Sequence, residues 1–149
     1  MSFLSAFNTS VSGMVAQRQR VNTISENIAN AETTRTPQGG PYRRREVVLA
    51  SVANDRTFEE ELLSQDRSVS TSTEVKVVGI VQDERPPILR FEPGHPDANE
   101  EGYVEMPNVN IMEEMVNLMS ANRSYEANTA AFNATKNMVQ SALDLGRNA

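Results

Sequence analysis

Between Ile111 and Leu145 the large apolar residues Ile111, Leu118, Tyr125, Phe132 and Val139 recur at strict intervals of seven. Seven residues make almost two turns of α-helix, so the row stays on one face, the pattern of a helix that meets a partner helix along its length. Pro107 precedes the stretch, and Asn110 with Glu113 three positions on has the form of a capping box, in which each side chain satisfies an orphan N–H. At ~1.5 Å per residue the helix would be about 50 Å long. Its other faces are as unusual as its length. From Met115 to Leu143 only Arg123, Glu126 and Lys136 are charged, and Ser120, Ala121, Ala127, Asn128, Ala130, Asn133 and Ala134 fill the faces away from the row. A lone surface helix turns a charged face to water. This one reads as a helix touched on several sides.

The other end of the chain repeats the pattern. Phe7, Met14, Val21 and Ile28 are spaced by seven, with Leu4, Val11, Ile24 and Ala31 widening the stripe, and only Arg18, Arg20 and Glu26 are charged between Phe3 and Ala31. The two terminal helices are natural partners for each other, and their pairing would close the chain on itself. The middle differs: about two-thirds of the 34 charged residues (14 basic plus 20 acidic) lie between Glu32 and Glu105, as expected of a solvated region.

The first helix must stop in Asn30, Thr33 and Thr34 followed by Pro37, Gly39, Gly40 and Pro41. Tyr42 to Ala50 reads as a strand opened by Arg43, Arg44 and Arg45, a solvated or subunit-facing strand end that pairs with acidic neighbours. Thr57 with Glu60, and Phe58, Leu62 and Leu63, predict a short amphipathic helix, and Ser64 to Thr73 a polar loop. Val75 to Val81 is the clearest strand, with Ile88 to Phe91 and Gly102 to Met106 as further extended pieces between turns. The expected fold class is therefore α+β: long N- and C-terminal helices packed as a coiled coil, with a small central β-rich region. The expected divisions are 3–31 for the N-terminal helix, 32–107 for the centre and 108–146 for the C-terminal helix.

The composition excludes several functions. There is no cysteine, which removes disulfides, thiol chemistry and cysteine metal sites and suits either a reducing compartment or export as an unfolded chain. Nothing approaches the ~18 consecutive apolar residues of a membrane span, and the start lacks the pattern of a cleaved signal peptide. A net charge of -6 argues against a phosphate-backbone binder, so no nucleic-acid partner is expected. The only histidine, His95, lies between Gly94 and Pro96 with no second histidine to share a metal. Asp97, Asn99, Glu101 and Gly102 partly match a calcium loop, but Asn108 stands where the bidentate glutamate belongs. There is no nucleophile elbow, phosphate loop or metalloprotease pair. The reading is of a protein that is not an enzyme and takes no cofactor, metal or small-molecule substrate. Met106, Met112, Met115 and Met119 read as adaptable packing.

Several motifs together carry a resemblance. They are Asn27-Ile28-Ala29-Asn30-Ala31 followed by Thr33-Thr34, Gly39-Gly40-Pro41-Tyr42-Arg43-Arg44, Pro93-Gly94-His95-Pro96, and Asn108-Val109-Asn110 leading to Glu113-Glu114-Met115 and Asn122-Arg123-Ser124-Tyr125-Glu126-Ala127-Asn128. In these, over nearly the whole chain and in order, the sequence resembles the flagellar basal-body rod family, most closely its proximal-rod members. The motif positions are Asn27, Asn30, Thr34, Gly39, Gly40, Pro41, Tyr42, Asn108, Asn110, Glu114, Arg123, Tyr125 and Asn128. The resemblance implies a structural subunit of the bacterial flagellar drive shaft, needed for motility. It would be exported unfolded by the type III apparatus and assembled in the periplasm within the basal body. The terminal helices would form an inner coiled-coil tube around the export channel, and the partners would be other rod subunits, the basal export-gate adaptor and further copies of the chain.

Periodicity and resemblance meet on the helix-packing and assembly residues: Leu4, Phe7, Val11, Met14, Val21, Ile28, Ile111, Met115, Leu118, Tyr125, Phe132 and Val139. Helices with several unsolvated faces suit a subunit surrounded by neighbours in a helical array, and they should be largely disordered in the free monomer and fold on assembly. The principal alternative is a soluble helical-hairpin adaptor or chaperone with a β cap, which predicts a stable helical monomer. A small metal-dependent hydrolase using His95 with Asp97 and Glu100 predicts metal binding in a plain titration. Another subunit type of the same family is the nearest rival.

Overall fold

A computed structural model describes residues 3–53 and 73–147. The architecture is the expected α+β arrangement: helix α1 (Phe3–Ala29), strands β1 (Arg45–Ala53), β2 (Thr73–Gln82), β3 (Ile88–Phe91) and β4 (Tyr103–Met106), and helix α2 (Ile111–Arg147). The short helix predicted from Thr57 to Leu63 and the loop expected after Ser64 lie outside the described residues, save Thr73, which opens β2. β1 begins three residues later than the sequence suggested. Tyr42 is instead held by the turn before it, where its N–H donates to the Thr33 carbonyl.

The helix boundaries have local causes. The Asn110 side chain accepts from the N–H groups of Met112 (3.1 Å) and Glu113 (3.4 Å), which caps α2 as its position after Pro107 predicts. At the end of α1 the Asn30 amide bonds back to the Glu26 carbonyl at 2.8 Å, and Thr33 donates to the Asn30 side chain at 3.2 Å. The chain then turns over Gly39 and Gly40, both at positive φ (90° and 73°), where a side chain would be strained. β1 pairs with β2, and β3 pairs antiparallel with β4 in the register Ile88 to Met106 through Phe91 to Tyr103.

The chain forms two compact units, each drawing on both helices. The described residues of the first are 3–18, 49–53, 73–78 and 123–147. In it Phe7 meets Phe132 edge to face at 4.9 Å, Gly13 lies under Asn128, and Thr129 donates to the Met14 sulfur at 3.3 Å. As numbers rise along α1 their partners fall along α2, so the helices run antiparallel here. The start of β2 is stitched to α1 by Thr9, which donates to the Thr73 carbonyl, and by Ser12, which accepts from the Val75 N–H. A Cβ on Gly13 would fall 2.9 Å from the Asn128 amide nitrogen, so glycine sets the closeness of this crossing. Gly13→Val is therefore expected to force the helices apart at a cost of ~1–3 kcal/mol, typical of overpacking, and to impair swimming in a soft-agar assay.

The second unit comprises residues 19–48 and 79–122. Its apolar interior is small: Ile24, Tyr42, Val104 and Ala121 are buried, beside Thr23, Asn27 and Glu114. Two of the three largest fully buried side chains of the described residues, Glu114 and Asn27, are polar. Hydrogen bonds, as much as apolar packing, hold this unit together.

Candidate assembly site

The polar centre of the second unit joins residues far apart in sequence. Asn27 on α1 is fully buried, and its amide nitrogen donates to the Arg45 carbonyl (2.8 Å) and to Glu114 Oε2 on α2 (2.9 Å). Its amide oxygen accepts from the Tyr42 hydroxyl and from the Arg45 N–H, both at 2.9 Å. The other carboxylate oxygen of Glu114 receives Arg44, whose Nε and Nη2 both lie 2.9 Å from Oε1. Glu114 is 1 % exposed and the Arg44 side chain 12 %. One amide and one carboxylate thus tie α1, the Tyr42 turn, the start of β1 and the first turns of α2 into a single network. Every hydrogen-bonding atom of the Asn27 side chain is used.

Electrostatics follow from this enclosure. Burial pulls the Arg44 pKa down, but the hydrogen bond and charge of Glu114 outweigh it and leave the pKa raised, so Arg44 stays charged. Burial pushes the Tyr42 hydroxyl up, with Arg45, 5.7 Å over its ring, acting in the opposite sense, so Tyr42 remains a neutral donor. Nearby, the Arg85 guanidinium and N–H both bond Asp83 and hold its carboxyl at about 2. This exposed clasp follows β2, and the Asp83 N–H donates to the Arg44 carbonyl at 2.8 Å.

The structure brings three of the motif residues, Asn27, Tyr42 and Glu114, into this one network. Thr34 donates to Asp97 at 2.8 Å, and Asn108 to the Pro86 carbonyl at 3.4 Å. Asn30, Gly39, Gly40, Pro41 and Asn110 shape the turns and the cap described above. Asn128 lies on the α2 seam against Gly13, while Arg123 is exposed and Tyr125 is 40 % exposed. Of the residues assigned to helix packing and assembly, Phe7, Met14, Val21, Ile28, Leu118, Phe132 and Val139 are half-buried, and Leu4, Val11, Ile111, Met115 and Tyr125 are exposed.

Apart from Ile24, the deepest positions of both helices are small or polar: Gly13, Ala16, Thr23 and Asn27 on α1, and Glu114, Ala121 and Thr135 on α2. Sequence reasoning assigned Ala121 and Asn128 to outward faces. Both instead serve the intramolecular seam, because small side chains permit close approach of the two helices. Arg44, read as part of a solvated or subunit-facing strand end, is drawn inward by Glu114, seventy positions away. A partner that distant leaves no local pattern. Among the described residues no cluster of His, Cys, Asp or Glu could hold a metal ion, and no helix is long and apolar enough to cross a membrane.

Some of the exposed apolar residues of the helices fall together. At about 100° per residue, Leu4, Val11 and Val15 share one face of α1, and Met112, Met115, Val116 and Met119 share one face of α2. Each face lies on the far side of its helix from the buried seam. Leu4 is 72 % exposed and Met112 71 %, so each helix carries a second, uncovered packing surface.

Comparison with known proteins identifies the family. Residues 7–35 match the family profile described as flagella basal body rod protein, and residues 100–145 the profile described as flagellar basal body rod FlgEFG protein C-terminal. The chain is 42 % identical to the flagellar basal-body rod protein FlgC of Borreliella burgdorferi over 147 residues, covering 96 % of this chain and 97 % of that protein. It is 43 % identical to FlgC of Bacillus subtilis over 152 aligned positions (99 % and 100 %), and 38 % to FlgC of Salmonella typhimurium over 148 (99 % and 100 %). With relatives this similar over their full length, the chain belongs to the FlgC family of flagellar basal-body rod proteins, structural subunits of the bacterial flagellum.

Proposed function

We propose that this subunit enters the proximal rod by laying its terminal helices, 3–31 and 108–146, into an inner coiled-coil tube around the export channel, while residues 32–107 form an outer layer that bridges to neighbours. Its partners in this reading are other rod subunits, further copies of itself and the export-gate adaptor at the base, which it meets in the periplasm after export as an unfolded chain. The protein performs no catalysis. The observation that carries the reading is the uncovered apolar face on each helix, opposite the buried seam. A free-standing adaptor would have little use for such faces, because apolar surface of that kind is covered in a working assembly.

The thin interior supports folding on assembly. Fixing long helices costs about 1–2 kcal/mol of backbone entropy per residue, and a handful of buried apolar side chains offsets little of it. Contacts with neighbours would supply the remainder. Deleting the gene and restoring it on a plasmid tests the reading. The deletion strain should not swim, the plasmid should restore swimming, and a tagged copy should be found in purified basal bodies. Normal swimming by the deletion strain, or absence of the tagged chain from basal bodies, would overturn it.

A further inference from the structure

The hairpin of β3 and β4 has one edge closed and the other open. Beyond the facing pair Phe91 and Tyr103, the Glu92 N–H donates to the Gly102 carbonyl at 2.9 Å. Antiparallel strands alternate hydrogen-bonded with non-hydrogen-bonded pairs, so Arg90 and Ile88 also bond across to β4, while Leu89, Phe91, Tyr103 and Glu105 turn their backbone groups outward. On β4 the turn takes those of Tyr103: its carbonyl accepts from the Asn99 N–H and its N–H donates to Asn99 Oδ1, both at 2.8 Å. On β3 nothing among the described residues takes the N–H and carbonyl groups of Leu89 and Phe91. Their side chains share the face of Tyr103 and are each 62 % exposed. Phe91 is nevertheless held in place, edge to face on Tyr103 at 5.3 Å and over the buried Gly102, where a Cβ would fall 2.9 Å from its ring. Edge strands are normally blunted by a charge, a proline or a bulge. Arg90, the only charged residue of β3, lies on the other face and is bound to Glu92 at 2.8 Å. The surroundings are acidic: residues 88–106 carry a net charge of -4 out of the chain's -6, Arg90 standing against Glu92, Asp97, Glu100, Glu101 and Glu105. Asp97 lies 3.8 Å from Arg35, and Glu105 shares a cavity with Arg43. Glu100 and Glu101 are exposed in the turn and form no ion pair among the described residues.

We propose that an extended segment of a neighbouring rod subunit adds to the open edge of β3 as a third strand. It exchanges main-chain hydrogen bonds with Leu89 and Phe91, sets apolar side chains at alternate positions against theirs, and brings a lysine or arginine to Glu100 and Glu101 at the Phe91 end. The inference rests on the rod reading and names one contact within its outer layer. In strand addition the main-chain bonds supply affinity and the alternate side chains supply choice of partner. The excess of carboxylates around the turn selects a basic segment, since like charges brought to such an edge would repel. The Phe91 ring is already fixed by Tyr103 and Gly102, so covering it costs little ordering entropy.

The test places a photoreactive benzophenone side chain at position 89 of the full-length chain in cells. The cells are irradiated, and the cross-linked peptide is identified by mass spectrometry in purified basal bodies. The expected product joins position 89 to a peptide of a neighbouring subunit that alternates apolar residues and carries a lysine or arginine in that run. A cross-link within the same chain, to lipid or to a peptide without that pattern would overturn the inference, as would none at all from chains present in basal bodies; each leaves the rod reading intact. Absence of the wild-type chain from basal bodies would instead overturn that reading. A second measurement needs no probe. Leu89→Pro removes an outward N–H without touching a hairpin bond, a position where proline is tolerated, and Leu89→Ala removes only the side chain. Leu89→Pro should lose swimming and Leu89→Ala only part of it. Equal swimming by the two, with both exported at normal levels, would mean that no strand is added there. Glu100→Lys/Glu101→Lys should reduce swimming more than Glu100→Gln/Glu101→Gln, and equal swimming by these two would overturn the basic partner.

Discussion

Glu114→Ala is expected to abolish swimming, although the residue touches no exposed surface. The change strands the Arg44 guanidinium in a site where its side chain is 12 % exposed, and it leaves one Asn27 N–H without its acceptor. Breaking a buried pair by removing one partner costs ~3–5 kcal/mol, mostly because the remaining charge has nowhere to go. That is a large share of the ~5–15 kcal/mol that holds a typical domain together. The damage would fall at one junction, where α1, the Tyr42 turn, β1 and α2 share the network. Arg44→Met should be similarly harmful alone. The double variant Glu114→Leu/Arg44→Met should cost clearly less than the two single losses combined, because it leaves no buried charge behind. The comparison is made by swimming rate and by the amount of chain in purified basal bodies. Additive losses would mean that the pair is not coupled as the geometry requires.

Phe132→Asp should also stop swimming while the protein is still made, through the other unit. Phe132 meets Phe7 edge to face at 4.9 Å, the principal aromatic contact between α1 and α2 there. Such a pair contributes ~0.5–1.5 kcal/mol beyond the burial of its area. Removing a fully buried aromatic ring costs ~3–5 kcal/mol, the half-buried Phe132 less than that, and a carboxylate in its place must also be desolvated when the helices close. Leu118→Asp, on the same row, is expected to act in the same direction. Phe132→Leu keeps an apolar group of similar reach and should swim measurably. Wild-type swimming by both aspartate variants would contradict the packing described here.

Much of this was legible in the chain, and the parts that were not have identifiable physical causes. The seven-residue rows announced two long helices and their partnership, and Asn110 after Pro107 announced where the second begins, because periodicity and capping are local signals. The depth of the seam was misjudged for an equally physical reason. Large apolar residues such as Leu118 and Phe132 flank the contact, while Gly13, Ala16 and Ala121 occupy its middle, since only small residues let the backbones approach. Glu114 carries no mark in sequence that separates it from the exposed Glu113 beside it. Its burial is decided by Asn27 and Arg44, eighty-seven and seventy positions away. The sequence pattern predicts Tyr42 as the first residue of a strand, but its hydroxyl bond to Asn27 and its N–H bond to Thr33 hold it in the preceding turn. The resemblance pointed to Asn27, Tyr42 and Glu114 as separate motif positions. What the structure adds is that they form one hydrogen-bonded network.

The most direct test of the central claim is far-UV circular dichroism of the purified full-length chain, recorded as a function of concentration and with a purified rod partner added. A subunit that completes its fold only among neighbours should show weak helicity when dilute and a clear rise with concentration or partner. Strong, concentration-independent helicity with cooperative melting would contradict that claim and would instead describe a self-sufficient helical hairpin.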